Sequence, residues 1–308
     1  MSLLSRLSSP RCLLLLSLLS LLLAPLTGWT QDRAQALLQF EGVQARYQNA
    51  YGPGAVSRGA RELLEPPDLA IADKALQSLD VAAGRAFDVN ASVAAVRQGG
   101  GAAGQGAAAP GPRGARIGRD GAAAGRAPPA PTPPVLEAVA RLAKLRADYA
   151  AMDEPGKVTF FHQQHARPAD PARVELLSRM TVAEAREIDF SSQLLMSAVV
   201  KQLARGNAGQ FSSLPDRTLD TALDSLWSRG VTSPRPRNLM TVAREFEKLV
   251  TQALLLALPD ADVAALLAWR NEPQAAAERE ALLGSYRAEV KGSGAVAIRT
   301  LVRSWGRP

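Results

Sequence analysis

The spacing of apolar residues predicts an all-α protein whose main part is a helical bundle over residues 135–308. Apolar side chains recur there every three or four positions, the repeat that forms one face of a helix. The helices predicted from this repeat cover 135–150, 181–203, 215–229, 239–258, 260–271, 273–291 and 296–305. Only Val158–Phe161 is typical of a strand, because β-branched and aromatic residues favour extended backbone.

Local signals mark several ends of these helices. Thr181 and Glu184 have the spacing of a capping box, in which both side chains bind backbone amides at the start of a helix. Gly230 and Gly292–Gly294 each end a predicted helix, since glycine is favoured just beyond a last turn. The helix over 239–258 is the most apolar of all, and we therefore expect it at the centre of the bundle.

Residues 31–90 are predicted to form a small N-terminal helical unit. Its first helical region ends at Tyr51–Gly54, where two glycines flank a proline. A short turn is predicted over 58–64, and Asp68 is the predicted N-cap of a helix that reaches Phe87. Helices of this length bury little surface by themselves.

Residues 91–134 are predicted to be a disordered linker, rich in Gly, Ala, Pro and Arg. Such a composition offers too little apolar surface to offset the entropy lost on ordering. The linker holds five arginines against Asp120, so it contributes +4 to the net charge of +7. Its Gly99, Gly101 and Gly104 match the spelling of a dinucleotide-binding loop, but no strand precedes them and that site is excluded.

Residues 1–30 are predicted to be a signal peptide. Arg6 and Arg11 accompany the apolar run Cys12–Leu26, which has the length of a signal sequence and is short for a membrane span. Cleavage is predicted before Gln31, and the mature protein is then periplasmic or secreted. An uncleaved membrane anchor is the alternative.

Composition excludes several functional classes. Cys12 is the only cysteine, so the predicted mature chain has no disulfide, thiol nucleophile or cysteine-bound zinc. Outside the linker no block of basic residues occurs, and nucleic-acid binding is therefore not expected. Aromatic residues are only 5% of the chain, which predicts a core built mainly from Ala, Leu and Val.

His162 and His165 are the only histidines in the sequence and are candidate metal ligands. On a helix, side chains three positions apart share a face and can bind one metal ion. Asp153 or Glu154 would have to supply a third ligand. The alternative, which we prefer, is an exposed loop without metal.

Two charged helix faces have both a structural and a functional interpretation. Asp216, Asp220 and Asp224 form an acidic stripe, interpreted as a solvated face rather than a cation site. Near the C-terminus, apolar residues fall on one face and arginines on another, which allows either packing on the bundle or peripheral contact with an anionic membrane. Packing is preferred for this segment, whose apolar and basic positions are Ile298, Leu301, Val302, Trp305, Arg299, Arg303 and Arg307.

The stretch Leu258–Pro273 resembles the hallmark of a family of small exported bacterial helical domains of unknown function. In that family an acidic helix start and a Leu-rich turn precede an aromatic pair and then Ser/Thr-Pro-x-Gly. Here Trp269–Arg270 stands at the aromatic pair, Glu272–Pro273 at Ser/Thr-Pro, and Ala275 at the glycine. The resemblance covers about residues 251–290; it implies a helical exported module and no catalytic residues.

These patterns predict an exported, non-enzymatic helical protein of the bacterial envelope that binds a protein partner or the envelope surface. A hydrolase with a dispersed or histidine-bound metal site is one alternative, and binding of an anionic polymer by the Arg-rich linker is another. The sequence contains neither a phosphate-binding loop nor a serine-hydrolase elbow. No catalytic, cofactor-binding or metal-ligating residue is therefore assigned, and no cofactor is expected.

Overall fold

The computed structural model describes residues 33–102, 129–168, 170–207, 214–229 and 233–305. Within these ranges the chain forms fourteen helices and no strand, so the predicted all-α helical bundle is confirmed. The predicted signal peptide and residues 103–128 of the predicted linker lie outside the described residues.

The helices are numbered in chain order. The N-terminal part contains α1 (33–41), α2 (Val43–Tyr51), α3 (Ala55–Leu63), α4 (Pro66–Leu69), α5 (Asp73–Ala86) and α6 (Val89–Ala102). The middle contains α7 (Pro133–Ala151), α8 (Glu154–His165), α9 (Pro171–Ser178) and α10 (Val182–Ala204). The C-terminal part contains α11 (Asp216–Arg229), α12 (Pro234–Ala257), α13 (Asp260–Arg270) and α14 (Ala275–Ser304).

Two glycines redirect the chain between the first three helices. Gly42 joins α1 to α2 with a φ of 68°, and Gly54 precedes α3 with a φ of 71°. Side chains with a Cβ rarely adopt these left-handed angles, so glycine is required by the turns. The predicted break at Tyr51–Gly54 is confirmed, and the short turn predicted over 58–64 lies mostly in α3.

The helices on both sides of the predicted linker share one hydrophobic core. Helix α14 packs against α5, α6 and α10, and α10 in turn packs against α3 and α12. The buried apolar residues of these helices form one continuous cluster. Residues 91–102, at the start of the predicted linker, belong to α6.

Asp68 does not cap the helix predicted from it. It lies inside the short α4 and is only 1% exposed, while the following long helix, α5, begins at Asp73. The Asp68 carboxylate pairs with Lys201 at 2.8 Å and with Arg205 at 2.6 Å, both from the end of α10. These ammonium and guanidinium groups lower the pKa of Asp68. A buried carboxylate is stable where cations pair with it. Asp68 therefore makes ion pairs with α10 in place of the predicted N-cap hydrogen bond.

Helix α10 begins where the capping box predicts, but the box itself is not formed. The Thr181 side chain makes no cap to its own helix; its amide and its hydroxyl both donate to Glu41 Oε2, at 2.8 Å each. Glu184 pairs instead with Arg279 of α14. Both polar residues therefore connect α10 to other helices.

The prediction that the most apolar helix is central is wrong. Helix α12 buries its C-terminal half, including Leu254 and Leu255, but Val242 is 66% exposed and Phe246 is 60% exposed. The central positions belong to α10 and α14, because their buried residues contact helices on several sides. Apolar content alone does not determine which helix the chain surrounds.

Helix α14 continues through the glycines that were predicted to end it. It runs from Ala275 to Ser304 and includes both Gly292 and Gly294. Glycine costs about 1 kcal/mol relative to alanine inside a helix, and the burial of Val290, Ala297 and Ile298 on the bundle outweighs that cost. The strand-like run Val158–Phe161 likewise lies inside α8.

Candidate functional site

One feature without an assigned structural role is a groove between α10, α11 and α14. It encloses about 420 Å³. Its apolar walls come from all three helices and consist of Leu195, Met196, Leu223, Trp227, Ala295 and Ile298. Ligand pockets typically have this size and an apolar lining with a few polar groups, so we call this feature the α11 groove.

A ladder of ion pairs closes one side of the α11 groove. Asp216 pairs with Arg303 at 2.7 Å, Asp220 with Arg299 at 2.5 Å and Asp224 with Lys291 at 2.9 Å. The side chains of Asp216, Asp220 and Asp224 are 69%, 43% and 62% exposed, as expected for a solvated face, and each of them also meets a cation of α14. Nearby cations also lower the pKa of Asp216. The three pairs join α11 to α14, although partly exposed ion pairs contribute little to stability.

The C-terminal amphipathic segment packs on the bundle, as preferred from the sequence. Ile298, Leu301 and Val302 are at most 1% exposed. Arg299 and Arg303 point to the aspartates of α11. The two charge patterns that the sequence presents separately, one acidic and one basic, are thus the two sides of the same helix–helix contact.

The inner wall of the α11 groove carries one polar group without a hydrogen-bond partner. Ser192 of α10 is 1% exposed, and its Oγ makes no hydrogen bond of ordinary geometry with any described residue. The hydroxyl lies near enough to Tyr51 to act on that phenol, where it favours a lower pKa against the stronger effect of burial. On its other side it faces Gly294 across the groove wall.

Behind Ser192 lies a fully buried acid, Asp189. Its Oδ1 accepts hydrogen bonds from Tyr51 at 2.9 Å and from Tyr286 at 2.6 Å, which join α2 and α14 to α10. Desolvation raises the pKa of Asp189 to about 6, against the opposing effects of Arg46 and the two phenols. Burial also raises the pKa of both tyrosines well above the ordinary value.

The geometry of Asp189 favours a structural role over catalysis. Neither Asp189 nor its phenol partners, Tyr51 and Tyr286, line the α11 groove, so these groups do not meet a substrate bound there. The sequence analysis did not identify this centre. One local signal points to it: Asp189 shares a helix face with Val182, Ala185 and Met196, and an aspartate on such an apolar face needs a buried polar partner.

Trp269 and Arg270, which belong to the stretch that resembles the helical family, are buried in the core. Trp269 is 2% exposed and meets Phe40 edge to face, with 5.7 Å between ring centroids. Arg270 lies over the Trp269 ring at 5.2 Å and donates to Glu278 at 3.1 Å. Burial lowers the pKa of Arg270, while Glu278 acts in the opposite direction.

His162 and His165 lie in the last turn of α8, which is a regular helix rather than the expected loop. His165 stacks on Phe161 at 4.0 Å, and its Nδ1 lies 3.0 Å from the Phe161 carbonyl oxygen. Glu154 is at the opposite end of the helix, about 12 Å from His162 along the axis, where it binds Lys157. Within the described ranges no three His, Cys, Asp or Glu side chains come together as metal ligands do.

A second unassigned feature is the exposed apolar face at the start of α12, which we call the α12 face. It consists of Leu239, Val242, Phe246 and Leu249, which are 38%, 66%, 60% and 41% exposed. Their spacing of three, four and three residues is that of the contact positions in a coiled coil. Contiguous exposed apolar residues often mark a surface that binds another molecule.

None of the fourteen helices in the described ranges combines the length and the apolar character that crossing a lipid bilayer requires. Comparison of the chain with protein-family models, curated proteins and solved structures finds no match.

Proposed function

We propose that this chain is an exported, non-enzymatic helical protein of the bacterial envelope that binds a partner protein through the α12 face. The partner contributes an amphipathic helix that lies along Leu239, Val242, Phe246 and Leu249. Export is supported by the charged and apolar pattern of residues 1–30. The mode of binding resembles a helix that lays its apolar side on an apolar groove.

The observation that carries this proposal is the change in solvent exposure along one face of α12. Ala253 and Leu256 continue the spacing of the α12 face, and both are buried in the bundle. One turn earlier the same face is uncovered, although it carries Phe246 and Leu249. Exposed phenylalanine and valine contribute nothing to the core, whereas a second helix would bury them at about 25 cal/mol per Å².

The charges beside the α12 face favour a protein over a lipid surface. Glu245 and Lys248 lie on the same helix and pair at 2.8 Å, whereas Arg244 and Glu247 turn to the bundle and pair with Glu187 of α10 and Arg46 of α2. An amphipathic helix that lies on an anionic membrane usually carries mainly cations on its polar side. A rim that contains charges of both signs is typical of protein interfaces, where opposite charges set the register of the partner.

The experiment places a photoreactive amino acid at position 246 of the mature chain, expressed in the producing bacterium. The cross-linked segment is identified by mass spectrometry, and a synthetic peptide of that segment is titrated against the purified protein. Replacing Val242→Asp should weaken peptide binding at least tenfold, because it places a charge at the centre of an apolar contact.

The matched control is Val81→Asp, the same substitution at a residue of α5 that is 58% exposed. Binding should be unchanged in this variant, and both variants should keep the wild-type thermal unfolding. The proposal is overturned if the cross-link forms only with lipid or with a second copy of the chain. It is also overturned if Val242→Asp and wild type bind the peptide equally.

A further inference from the structure

We infer that the α11 groove is a binding site for a small uncharged aliphatic molecule that carries one hydroxyl or carbonyl group. The site is separate from the α12 face, because none of the groove-lining residues belongs to α12. The inference therefore stands or falls independently of the proposed function.

The shape of the groove follows from small residues on α14. Ala288, Gly292 and Ala295 line it at successive turns of that helix. A Cβ placed on Gly292 would meet no other atom within 4 Å, so the backbone itself borders open space. From Ala288 to Arg299 the helix advances about 16 Å, which gives an elongated site suited to a chain rather than a broad ring system.

The apolar walls determine the body of the ligand. Trp227 and Leu223 cover the groove from α11, and Met196 and Leu195 form its base on α10. Neither charge nor a hydrogen-bond donor lies among these four side chains apart from the indole nitrogen. An aliphatic chain in the groove would replace water on both surfaces, the main source of affinity in apolar pockets.

Ser192 determines the polar group of the ligand. Its hydroxyl is buried in the groove wall beside the Tyr51 phenol and makes no hydrogen bond of ordinary geometry with any described residue. A further hydrogen-bond partner would therefore stabilise it. A serine hydroxyl both donates and accepts, so an alcohol or a carbonyl oxygen within reach satisfies it.

The charges at the rim favour an uncharged ligand. Lys291 and Arg299 are the cations that line the groove, and each is already paired with Asp224 or Asp220. A carboxylate head group would have to displace Asp220 or Asp224 from its cation, and the two negative charges would then lie close together. A cationic head group would meet the same conflict with Lys291 and Arg299.

The test titrates the purified chain, residues 31–308, with 1-decanol and with decanoate by isothermal titration calorimetry. Saturable binding of one 1-decanol molecule is expected, with decanoate at least tenfold weaker. The Trp227 resonance should shift in 19F spectra of protein labelled with 5-fluorotryptophan, where Trp227→Phe identifies the signal. Absence of saturable 1-decanol binding, or tighter binding of decanoate, overturns the inference.

Two variants locate the site in the groove. Gly292→Leu places a side chain in the open space and should abolish 1-decanol binding, whereas Gly284→Leu, also in α14 with open space at its Cβ and outside the groove, should not. Ala288→Leu, at an exposed position of the groove wall, provides a second blocking variant if Gly292→Leu does not fold. Equal binding by the blocking variant and Gly284→Leu contradicts the proposed location.

Ser192→Ala tests the polar contact. Loss of one hydrogen bond should weaken 1-decanol binding about fivefold, while the Trp227 resonance still shifts at saturation. Unchanged affinity in this variant would show that Ser192 does not meet the ligand and would overturn the assignment of the polar group.

Discussion

Individual buried acids connect helices that are distant in the sequence. Glu41 of α1 accepts two hydrogen bonds from Thr181, and Asp262 of α13 pairs with Arg141 of α7 at 2.6 Å. Asp189 receives phenols from two other helices. A buried carboxylate is stable only where donors converge on it, so each one favours a single arrangement of its neighbours.

Asp189→Asn should change how stability depends on pH. The pKa of Asp189 rises from an ordinary 3.8 to about 6 in the folded protein, so the folded state holds a proton that the unfolded state releases. The stability associated with the protonated acid is complete below pH 4 and is lost as the pH rises through 6. Urea unfolding should show the wild type losing roughly 2–3 kcal/mol relative to Asp189→Asn between pH 4 and pH 7.

The control for this measurement is Asp148→Asn, at an exposed residue of α7 that pairs only with Lys144. Its unfolding free energy should follow that of the wild type throughout the same pH range. If the difference between wild type and Asp189→Asn were constant with pH, or grew in the opposite direction, Asp189 would not be a buried acid with a raised pKa.

At the scale of elements, the continuity of α14 is what creates the α11 groove. Were the helix to end at Gly292–Gly294, the residues from Ala295 onward would leave the axis and the ladder to α11 would not form. A Cβ at Gly294 would lie 3.5 Å from Met196 Cε and 3.6 Å from Ser192 Oγ, so α10 and α14 approach closely at this point. Gly294 is therefore a site of close packing, and neither Gly292 nor Gly294 ends the helix.

Gly292→Ala should raise the free energy of unfolding by about 0.5–1 kcal/mol. Alanine is the better helix former, and the added methyl group enters open space at this position. Chemical denaturation at pH 7 measures the change. A loss of stability would mean that residue 292 needs a backbone conformation that only glycine adopts, which is the helix end that the sequence pattern predicts.

At the scale of the whole molecule, the N-terminal helices complete the core of the C-terminal ones. Leu79 of α5 and Ile298 of α14 are both fully buried and belong to the same cluster. Tyr47 of α2 meets Tyr286 of α14 edge to face, with 5.5 Å between ring centroids. Separating the two parts would expose apolar surface on both, at a cost that rises with the area uncovered.

Cutting the chain between these parts should leave them associated. A protease site inserted after residue 115 divides the chain outside every described helix. After cleavage the two fragments should elute together in gel filtration and unfold in one transition, because their contacts do not depend on the connection. Fragments that separate in buffer without denaturant, and each keep a helical circular dichroism spectrum, would contradict the shared core.

Local patterns predicted much of the secondary structure, because helix periodicity and helix ends depend on neighbouring residues. The helices predicted over 135–150 and 260–271 correspond closely to α7 and α13. The candidate sites were predicted less well. The aspartates of α11 and the arginines of α14 were noticed separately, but their pairing requires two helices to lie side by side.

The sequence by itself determined that the described chain is helical and where most helices lie, since these properties arise within a few turns of backbone. Only the tertiary structure decided which apolar faces are covered, because coverage depends on residues that are distant along the chain. The exposed α12 face and the unpartnered Ser192 hydroxyl both belong to this second class. Both candidate sites arise from positions that no local pattern specifies.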